Sequence, residues 1–269
     1  MTKAVAELSA YIIGVGLLGP GLPDWKTGAP ILGGRQRYQF APTVLPVPAL
    51  LPPAERRRVG AVVKLALAIG QEALAMAELA PASLITVFSS STGDGHNCHH
   101  LCETLASDDR HISPTRFHNS VHNAAAGYWS IATGATAASN VLGAFDASFG
   151  AGLLESLAQV MAEQQPVLML SYDGDYAEPL FSARPVPDTC GIALALTPSA
   201  TAHSLACLKL RLCAVPGDAL PDPELEALRR AIPAARGLPL LALLANGGCG
   251  VVHLDYLDNI GLQVELLPC

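Results

Sequence analysis

The sequence predicts an α/β protein with a mostly parallel or mixed sheet that is covered by helices on both sides. Strand-like apolar segments alternate with helical segments along most of the chain, and several strand candidates are apolar on both faces. Such strands are typical of a sheet buried between two helix layers. The composition agrees, because 51% of the 269 residues are hydrophobic and 14% are charged, against an average of about 25%. We expect a single domain over residues 1–269.

The first half of the chain carries the alternation most clearly. Five prolines between Pro42 and Pro53 indicate a loop that lies flat on the body, and apolar residues at mixed helical steps then predict a long, largely buried helix. The predicted elements are strand Ala10–Val15, a turn-rich stretch Gly16–Gly34, loop Pro42–Pro53, helix Ala54–Leu79, strand Leu84–Ser89, helix Asn97–Ala106 and helix Val121–Thr133.

The second half continues the alternation of strands and helices as far as Pro185, and after it two predicted strands follow each other directly. We predict strand Ser139–Phe145, helix Gly150–Gln164 and strand Pro166–Tyr172, followed by paired strands Gly191–Leu196 and Leu205–Cys213, helix Pro221–Arg236, and closing strands Gly250–Tyr256 and Gly261–Leu267. Strands that follow one another without a helix between them indicate antiparallel pairing in this part.

The composition also excludes several classes of protein. A net charge of −7, with four Lys beside twelve Arg, argues against a nucleic-acid-binding protein. A membrane span needs about 20 consecutive apolar residues, and the best runs, Pro239–Ala245 and Val62–Ile69, are less than half as long. Seven scattered cysteines suit reduced thiols, so we expect a cytoplasmic protein. The excess of apolar residues suggests a wide partner interface.

The N-terminus resembles a signal peptide only faintly. Lys3 precedes an apolar stretch from Leu8 to Leu22, but Glu7 stands ahead of that stretch and no small-residue cleavage site follows. The stretch also contains Gly14, Gly16 and Gly19, which match the spacing of a dinucleotide-binding turn. Pro20 and Pro23 forbid the helix that such a turn must begin, so we expect a strand-end turn and no cofactor.

The segment from His96 to Cys102 is the best candidate for a metal site. On a helix, Cys98 and Cys102 lie one turn apart, as do His96 and His100, and zinc accepts such ligands. His111, His118 and His122 follow, but no second pair stands at a finger-like distance. We therefore expect no metal, with the thiols facing the core and the imidazoles facing a polar loop or a partner. A zinc-binding protein remains an alternative.

Ser148 lies where a strand-to-helix turn would hold a catalytic serine. The segment Asp146–Gly150 has Asp146 where a nucleophile elbow has glycine, and His203 and His253 are the only histidines downstream. A serine acyltransferase or hydrolase that uses Ser148 is a further alternative.

Taken in order, five segments resemble the N-terminal half of the β-ketoacyl synthases, the thiolase-fold condensing enzymes of fatty acid and polyketide synthesis. The segments are Tyr11–Pro20, Glu55–Leu67, Phe88–Gly95, Ser113–Gly127 and Ala144–Leu154, within roughly residues 8–200. The resemblance implies a truncated thiolase-like fold, with residues 1–200 similar to the N-terminal half and residues 201–269 a reduced C-terminal remnant.

The departures from the family's pattern imply loss of catalysis. Where the enzymes have Asp-Thr-Ala-Cys-Ser-Ser-Ser-Leu, aligning Asp146 with their Asp puts Phe149 at the nucleophile position, and a one-residue slip puts Ser148 there. The family's two catalytic histidines and its lysine have no counterpart. Condensation needs a nucleophile and groups that stabilise the enolate and oxyanion. The resemblance therefore implies no enzyme activity for this chain alone, with the ring of Phe149 filling the mouth of an acyl pocket.

Chains of this kind resemble the chain-length factors of bacterial aryl polyene and related polyketide clusters. The resemblance implies a non-catalytic subunit that pairs with a full-length ketosynthase, meets acyl carrier protein indirectly and shapes the acyl tunnel. It places strand Ser139–Asp146 and segment Phe117–Trp129 at the partner interface. The candidate interface or pocket residues are Phe117, His118, Asn119, His122, Asn123, Trp129, Phe145, Asp146 and Phe149. The alternative is that the polar ones only satisfy loop backbone groups.

Overall fold

The computed structural model describes residues 7–269, so Lys3 lies outside the described residues. The strands are β1 (Leu8–Leu18), β2 (Ile85–Ser89), β3 (Ser139–Leu142), β4 (Val167–Asp173), β5 (Cys190–Thr197), β6 (Ala206–Cys213), β7 (Gly250–Leu257) and β8 (Ile260–Leu267). The helices are α1 (Trp25–Leu32), α2 (Pro53–Arg56), α3 (Ala61–Ala77), α4 (Gly95–Ala106), α5 (Pro114–His118), α6 (Ala124–Thr133), α7 (Ser148–Glu163), α8 (Leu180–Ala183), α9 (Pro223–Ala231) and α10 (Leu238–Ala245).

All eight strands form one mixed sheet in the order β3-β2-β4-β5-β1-β6-β8-β7. Only the β2–β3 and β2–β4 pairs are parallel, and the other five pairs are antiparallel. The mixed sheet is confirmed, whereas a majority of parallel pairings is wrong. Strands β1 to β4 still run in one direction, because β5 lies antiparallel between β4 and β1.

Helices cover both faces of the β3-to-β1 part of the sheet. One core includes apolar residues of α1, α7, α9 and α10, and the other includes those of α3 and α6. On β6 and β8 the α3 side instead carries polar residues, with Lys209 opposite Glu265 and Arg211 opposite Gln263. The expectation of helices on both sides therefore holds for five of the eight strands.

The predicted first strand is present and lies inside the sheet, but its glycines do not form the expected strand-end turn. Gly14 and Gly16 lie within β1, where a Cβ atom would overlap the main-chain carbonyl oxygens of Ala73 and Ile69 in α3. Only Gly19 lies at the end of the strand, where it bridges to Leu22. The spacing of the glycines therefore serves close packing of a helix on a strand.

Several predicted helices break where the sequence carries Gly or Pro. The continuous helix over residues 54–79 is wrong, because α2 ends at Arg56 and α3 begins after Gly60. Likewise, Pro233 ends the helix predicted over residues 221–236, and a 3-10 turn leads into α10. The apolar run Pro239–Ala245 is thus a short core helix. No helix within residues 7–269 is long and apolar enough to cross a membrane.

The two strands after Pro185 do not pair with each other. Both β5 and β6 pair with β1, one on each side of it. Strand β1 separates them because its apolar residues on both faces suit the middle of a sheet. The closing strands β7 and β8 do pair, as a hairpin.

Candidate functional site

The turn from β3 into α7 has the form of a nucleophile elbow. The chain leaves β3 at Leu142, and Phe145 has a φ of 52°, a left-handed conformation that is uncommon outside glycine. The hydroxyl of Ser148 donates to the carbonyl oxygen of Phe145 at 2.7 Å and accepts the Ala144 N–H at 3.0 Å. A sharp strand-to-helix turn of this kind presents the side chain at its apex. Here that side chain is Phe145, which is 60% exposed.

A cluster of charged side chains lies beside Phe145. The guanidinium carbon of Arg184 lies 3.8 Å from the centroid of the Phe145 ring, within the range of a cation–π contact. Arg184 and Arg236 both bind the carboxylate of Asp146, the latter at 3.0 Å. Arg184 therefore stacks on the ring of Phe145, and the Asp146 carboxylate joins Arg184 to Arg236.

A cleft of about 900 Å³ opens beside this turn. Its walls come from residues 144–147, from the loop 214–217 and from the β7–β8 end at residues 255–261, together with Arg236. Exposed apolar side chains, Phe145, Val215, Leu257 and Ile260, stand among these residues. Apart from residues 144–147, these wall residues lie in segments for which the sequence predicted no functional role.

Phe149 does not occupy the mouth of a pocket, contrary to expectation. It lies in the first turn of α7, is 1% exposed and belongs to the core shared with α10. Its ring contacts Gly237, where any Cβ atom would overlap it. Aligning Asp146 with the family's Asp puts the nucleophile position at Phe149, four residues beyond the apex of the turn at Phe145. The position of the apex follows only from the backbone angles.

Ser148 is fully buried, and both of its hydrogen bonds stay within the turn. Its hydroxyl proton is committed to the carbonyl oxygen of Phe145, and no histidine among the described residues is hydrogen-bonded to it. Geometry thus assigns Ser148 to closing the turn, and it offers no support for a serine hydrolase.

A buried carboxylate lies behind the turn. Asp173, at the end of β4, is 1% exposed and accepts hydrogen bonds from the Ser91 N–H at 2.8 Å and the Ala234 N–H at 2.9 Å. Burial raises the pKa of Asp173 to about 6, although these donors oppose the shift. Asp173 thus ties the Ser-rich turn after β2 to the 3-10 turn that carries Arg236.

Arg184 connects the elbow to this interior. It donates to the hydroxyl of Tyr176 at 3.0 Å, and that hydroxyl lies 3.0 Å from the Thr92 hydroxyl. Arg184, Arg236 and Tyr176 were missed by sequence reasoning. No spacing pattern reveals them, because Arg184 and Arg236 reach Asp146 from separate segments of the chain and Tyr176 acts through Arg184.

The histidines and cysteines of α4 do not form a metal centre. His96 binds Asp175 at 2.9 Å, while His99 and His100 both bind Glu103. Within residues 7–269, no group of three or more His, Cys, Asp or Glu residues is placed to hold a metal ion. Cys98 and Cys102 are exposed, so the expectation that they face the core is wrong. Among the residues of α4, only Asn97 is buried.

The predicted interface residues divide into exposed and buried sets. Phe117, His118, His122 and Asn123 are exposed, whereas Asn119 and Trp129 are buried. Asn119 donates to the Arg58 carbonyl at 2.8 Å and accepts from the Tyr128 hydroxyl at 3.1 Å, so it satisfies groups within the chain. His122 lies 3.2 Å from the Ser90 carbonyl oxygen. The exposed set stays available to a partner.

A free edge of the sheet follows these residues along the chain. Strand β3 is terminal in the sheet, and Ser139 and Asn140 on it are exposed. The carbonyl groups of Ala138 and Leu142 point to β2, which turns the backbone groups of the alternate residues, Ser139 and Val141, outward. An unpaired edge of this kind can pair with a strand of another chain.

Comparison by sequence places the chain in a known family. The model of the beta-ketoacyl synthase N-terminal domain matches residues 35–229. No curated protein matches the sequence significantly.

Solved structures extend the likeness to nearly the whole chain. The ketosynthase ApeO in complex with its chain length factor ApeC, from Xenorhabdus doucetiae, matches with a TM-score of 0.73 and 20% identity over 96% of this chain and 99% of the matched chain. The ishigamide ketosynthase/chain length factor matches with a TM-score of 0.71 and 16% identity over 96% and 99%. A β-ketoacyl synthase from Burkholderia phymatum matches with a TM-score of 0.58 and 16% identity over 89% of this chain and 70% of the matched chain. The fold is thiolase-like.

Proposed function

The chain belongs to the β-ketoacyl synthase N-terminal domain family, and we propose that within this family it is a non-catalytic chain-length factor. In this role it pairs with a complete ketosynthase and shapes the tunnel for a carrier-protein-bound acyl chain, in aryl polyene or related polyketide and fatty acid elongation. The observation that carries the proposal is the residue at the apex of the elbow. The turn has the geometry of a nucleophile elbow, but its apex holds Phe145, whose side chain has neither a lone pair for attack nor a proton to transfer.

The elbow also revises which residue stands in the nucleophile's place. We assign that position to Phe145, because it has the left-handed backbone and the exposed side chain, whereas Phe149 has neither. In the ketosynthases a thiolate at such a helix N-terminus is stabilised by the helix dipole. With a phenyl ring there, Arg184 stacks on the apex, and exposed apolar side chains such as Val215 and Leu257 stand among the cleft residues beside it.

The solved structures support the pairing. Two of the matched structures are ketosynthase and chain-length-factor pairs, and the match covers 99% of the matched chain in each. In this chain the free edge of β3, the exposed Phe117 and Ile131 and the elbow lie on consecutive segments, which suits one continuous interface. We propose that the ketosynthase pairs along this edge, with Phe145 at one end of the contact.

Co-expression with a ketosynthase encoded beside this chain tests the proposal. We expect a one-to-one complex by size-exclusion chromatography with mass measurement, while the chain alone self-associates and is inert toward malonyl-carrier protein. Phe117→Asp/Ile131→Asp should weaken the complex, because both side chains are exposed on the proposed interface. Met76→Asp, at an exposed position on α3, is the matched control and should leave it intact. A well-behaved monomer without affinity for any ketosynthase contradicts the proposal.

The tunnel-shaping part has a separate test. In the assembled complex, Phe145→Ala should lengthen or scramble the products without dissociating the subunits, since it removes an exposed ring and leaves the core intact. Product profiles are read by liquid chromatography with mass spectrometry. An unchanged profile would leave pairing in place and remove the role of Phe145 in shaping the tunnel.

A further inference from the structure

A proline-rich strap on the surface presents apolar side chains outward. Residues 39–50 have no helix or strand, yet Val44 is 82% exposed, Val47 72% and Leu50 50%. Neighbouring Leu51 is buried, and Leu45 packs against the α3 core. The strap therefore turns some of its apolar residues inward and holds others in solvent, contrary to the expectation that the whole loop lies flat.

The strap is fixed in place by hydrogen bonds. Thr43 binds the Asp188 carboxylate at 3.1 Å through its N–H and the Thr189 carbonyl at 2.7 Å through its hydroxyl. Arg56 donates to the carbonyl oxygens of Leu51 at 3.0 Å and Ala49 at 3.3 Å. Prolines restrict the backbone between these points. Ordering a segment so that aliphatic side chains face water gives no folding benefit, which points to a use outside the fold.

Cations gather beside these side chains. Residues 44–64 hold four of the 16 Lys and Arg residues and one of the 23 Asp and Glu residues, a net charge of +3 in a chain of −7. A cavity of about 370 Å³ between the strap and α3 has Arg56, Arg57 and Lys64 as its charged lining, and Val47 and Leu45 among its apolar lining. An adjoining cleft shares Arg57 and adds Arg58 and Arg116.

We propose that Val44, Val47, Leu50, Arg57 and Lys64 form a basic ridge that binds the surface of an anionic lipid bilayer. Aliphatic side chains beside Lys and Arg fit the boundary between acyl chains and phosphate groups, where the cations reach the phosphates and the aliphatics enter the hydrocarbon. Val44, Val47 and Leu50 each expose half or more of the side chain, and exposed aliphatic side chains without a fixed partner suit a deformable bilayer. The acidic remainder of the chain is repelled by anionic lipid, so attraction confined to the ridge also orients the molecule.

Vesicle partition of the full-length chain tests this inference. We expect sedimentation with vesicles of phosphatidylcholine containing roughly one-quarter phosphatidylglycerol, little with phosphatidylcholine alone, and loss at high salt. Arg57→Ala/Lys64→Ala should weaken partition on the order of twenty-five-fold, since each cation contributes about five-fold. Val44→Ser/Val47→Ser should weaken partition even onto vesicles with a high fraction of anionic lipid, because the substitutions remove aliphatic groups that would enter the hydrocarbon.

Two control variants lie outside the ridge. Arg211→Ala on β6 and Met161→Ser on α7 change an exposed cation and an exposed apolar residue, and both should bind vesicles as the wild type does. Equal partition onto neutral vesicles, or none onto anionic ones, overturns the inference. So does a result in which the ridge variants keep vesicle binding but lose binding to a purified acidic carrier protein. Complex formation with the ketosynthase is measured on the same variants, so that failure of pairing is distinguished from failure of lipid binding.

Discussion

Phe145 combines a left-handed backbone with an exposed aromatic ring, and the two features have different causes. The backbone is held by Ser148, whose buried hydroxyl bonds to both sides of the apex. A left-handed non-glycine residue costs about 1–3 kcal/mol and persists only where the surroundings fix it. The ring stays outside because the core beneath is already filled by Phe149 against Gly237. Two phenylalanines four residues apart thus have opposite roles.

A thiol placed at the apex tests this assignment. In Phe145→Cys we expect residue 145 to react with iodoacetamide faster than the native exposed Cys98, because it would lie at the N-terminal end of α7 beside Arg184, and both favour the thiolate. Partial burial and the neighbouring Cys102 raise the pKa of Cys98. Peptide mass mapping over time gives the rates. Phe149→Cys is the control and should stay unlabelled, since that position is buried; equal labelling at both positions would contradict the assignment.

At the scale of elements, the contact between β1 and α3 organises the sheet. Helix α3 crosses β1 so closely that the carbonyl groups of Ala73 and Ile69 face the missing side chains of Gly14 and Gly16. The helix is further fixed by Glu72, which accepts the N–H groups of Leu17 at 2.9 Å and Trp25 at 2.7 Å. A single helix thus ties the central strand to the turn that leads into α1.

Adding a methyl group at these glycines should therefore be severe. We expect Gly14→Ala or Gly16→Ala to lower the free energy of unfolding by more than about 3 kcal/mol, since the overlap is with rigid backbone. Gly127→Ala is the matched control in α6, where a Cβ atom meets nothing within 4 Å. It should be neutral or stabilise by about 0.5–1 kcal/mol. Urea unfolding gives both values, and similar losses at all three positions would refute the close-contact explanation.

At the scale of the whole molecule, Asp173 and Glu226 are carboxyl groups whose large pKa shifts oppose each other. Burial raises the pKa of Asp173 from 3.8 to about 6, so the folded state holds this proton more tightly than the unfolded state. Arg229 lowers the pKa of Glu226 from 4.5 to about 2 through hydrogen bonds, so the folded state favours this carboxylate. Asp173 therefore destabilises the protein above pH 6, and Glu226 stabilises it above pH 4.5.

Stability should therefore rise by about 1 kcal/mol as the pH falls from 7 to about 5, because the full Asp173 penalty of about 3 kcal/mol is removed only as the pH approaches the unfolded pKa of 3.8. It should decline again below about pH 4.5, as Glu226 becomes protonated in the unfolded chain and then in the folded one. Thermal unfolding followed across this range measures both limbs. Asp173→Asn should flatten the upper limb, while Asp258→Asn, at an exposed carboxylate, should keep it. A wild-type melting temperature that falls steadily from pH 7 to 5 would contradict a raised pKa of Asp173 in the folded protein.

Local pattern determined most of the elements. The buried strands β1, β2, β4 and β5 and the helix α7 lie where apolar runs and turn residues predict them, because secondary structure responds to neighbours along the chain. The ordered motifs were sufficient to identify the family, which the match over residues 35–229 confirms. Gly60 and Pro233 interrupt helices that the sequence predicts as continuous. Both are helix-breaking residues, but the apolar pattern continues on either side of each and so predicts a single helix.

Only the tertiary structure decided which strands are neighbours and which residue stands at the elbow. Strand β1 separates β5 from β6 because it can pair on both edges, and nothing in three separate apolar runs specifies that order. Phe145 and Phe149 are the same residue type on one short segment. Their difference is fixed by a backbone angle and by Ser148, Gly237 and Arg184, which folding brings together from distant parts of the chain. Sequence determined the elements and the family, whereas long-range packing determined the site, since its contacts join residues that are far apart along the chain.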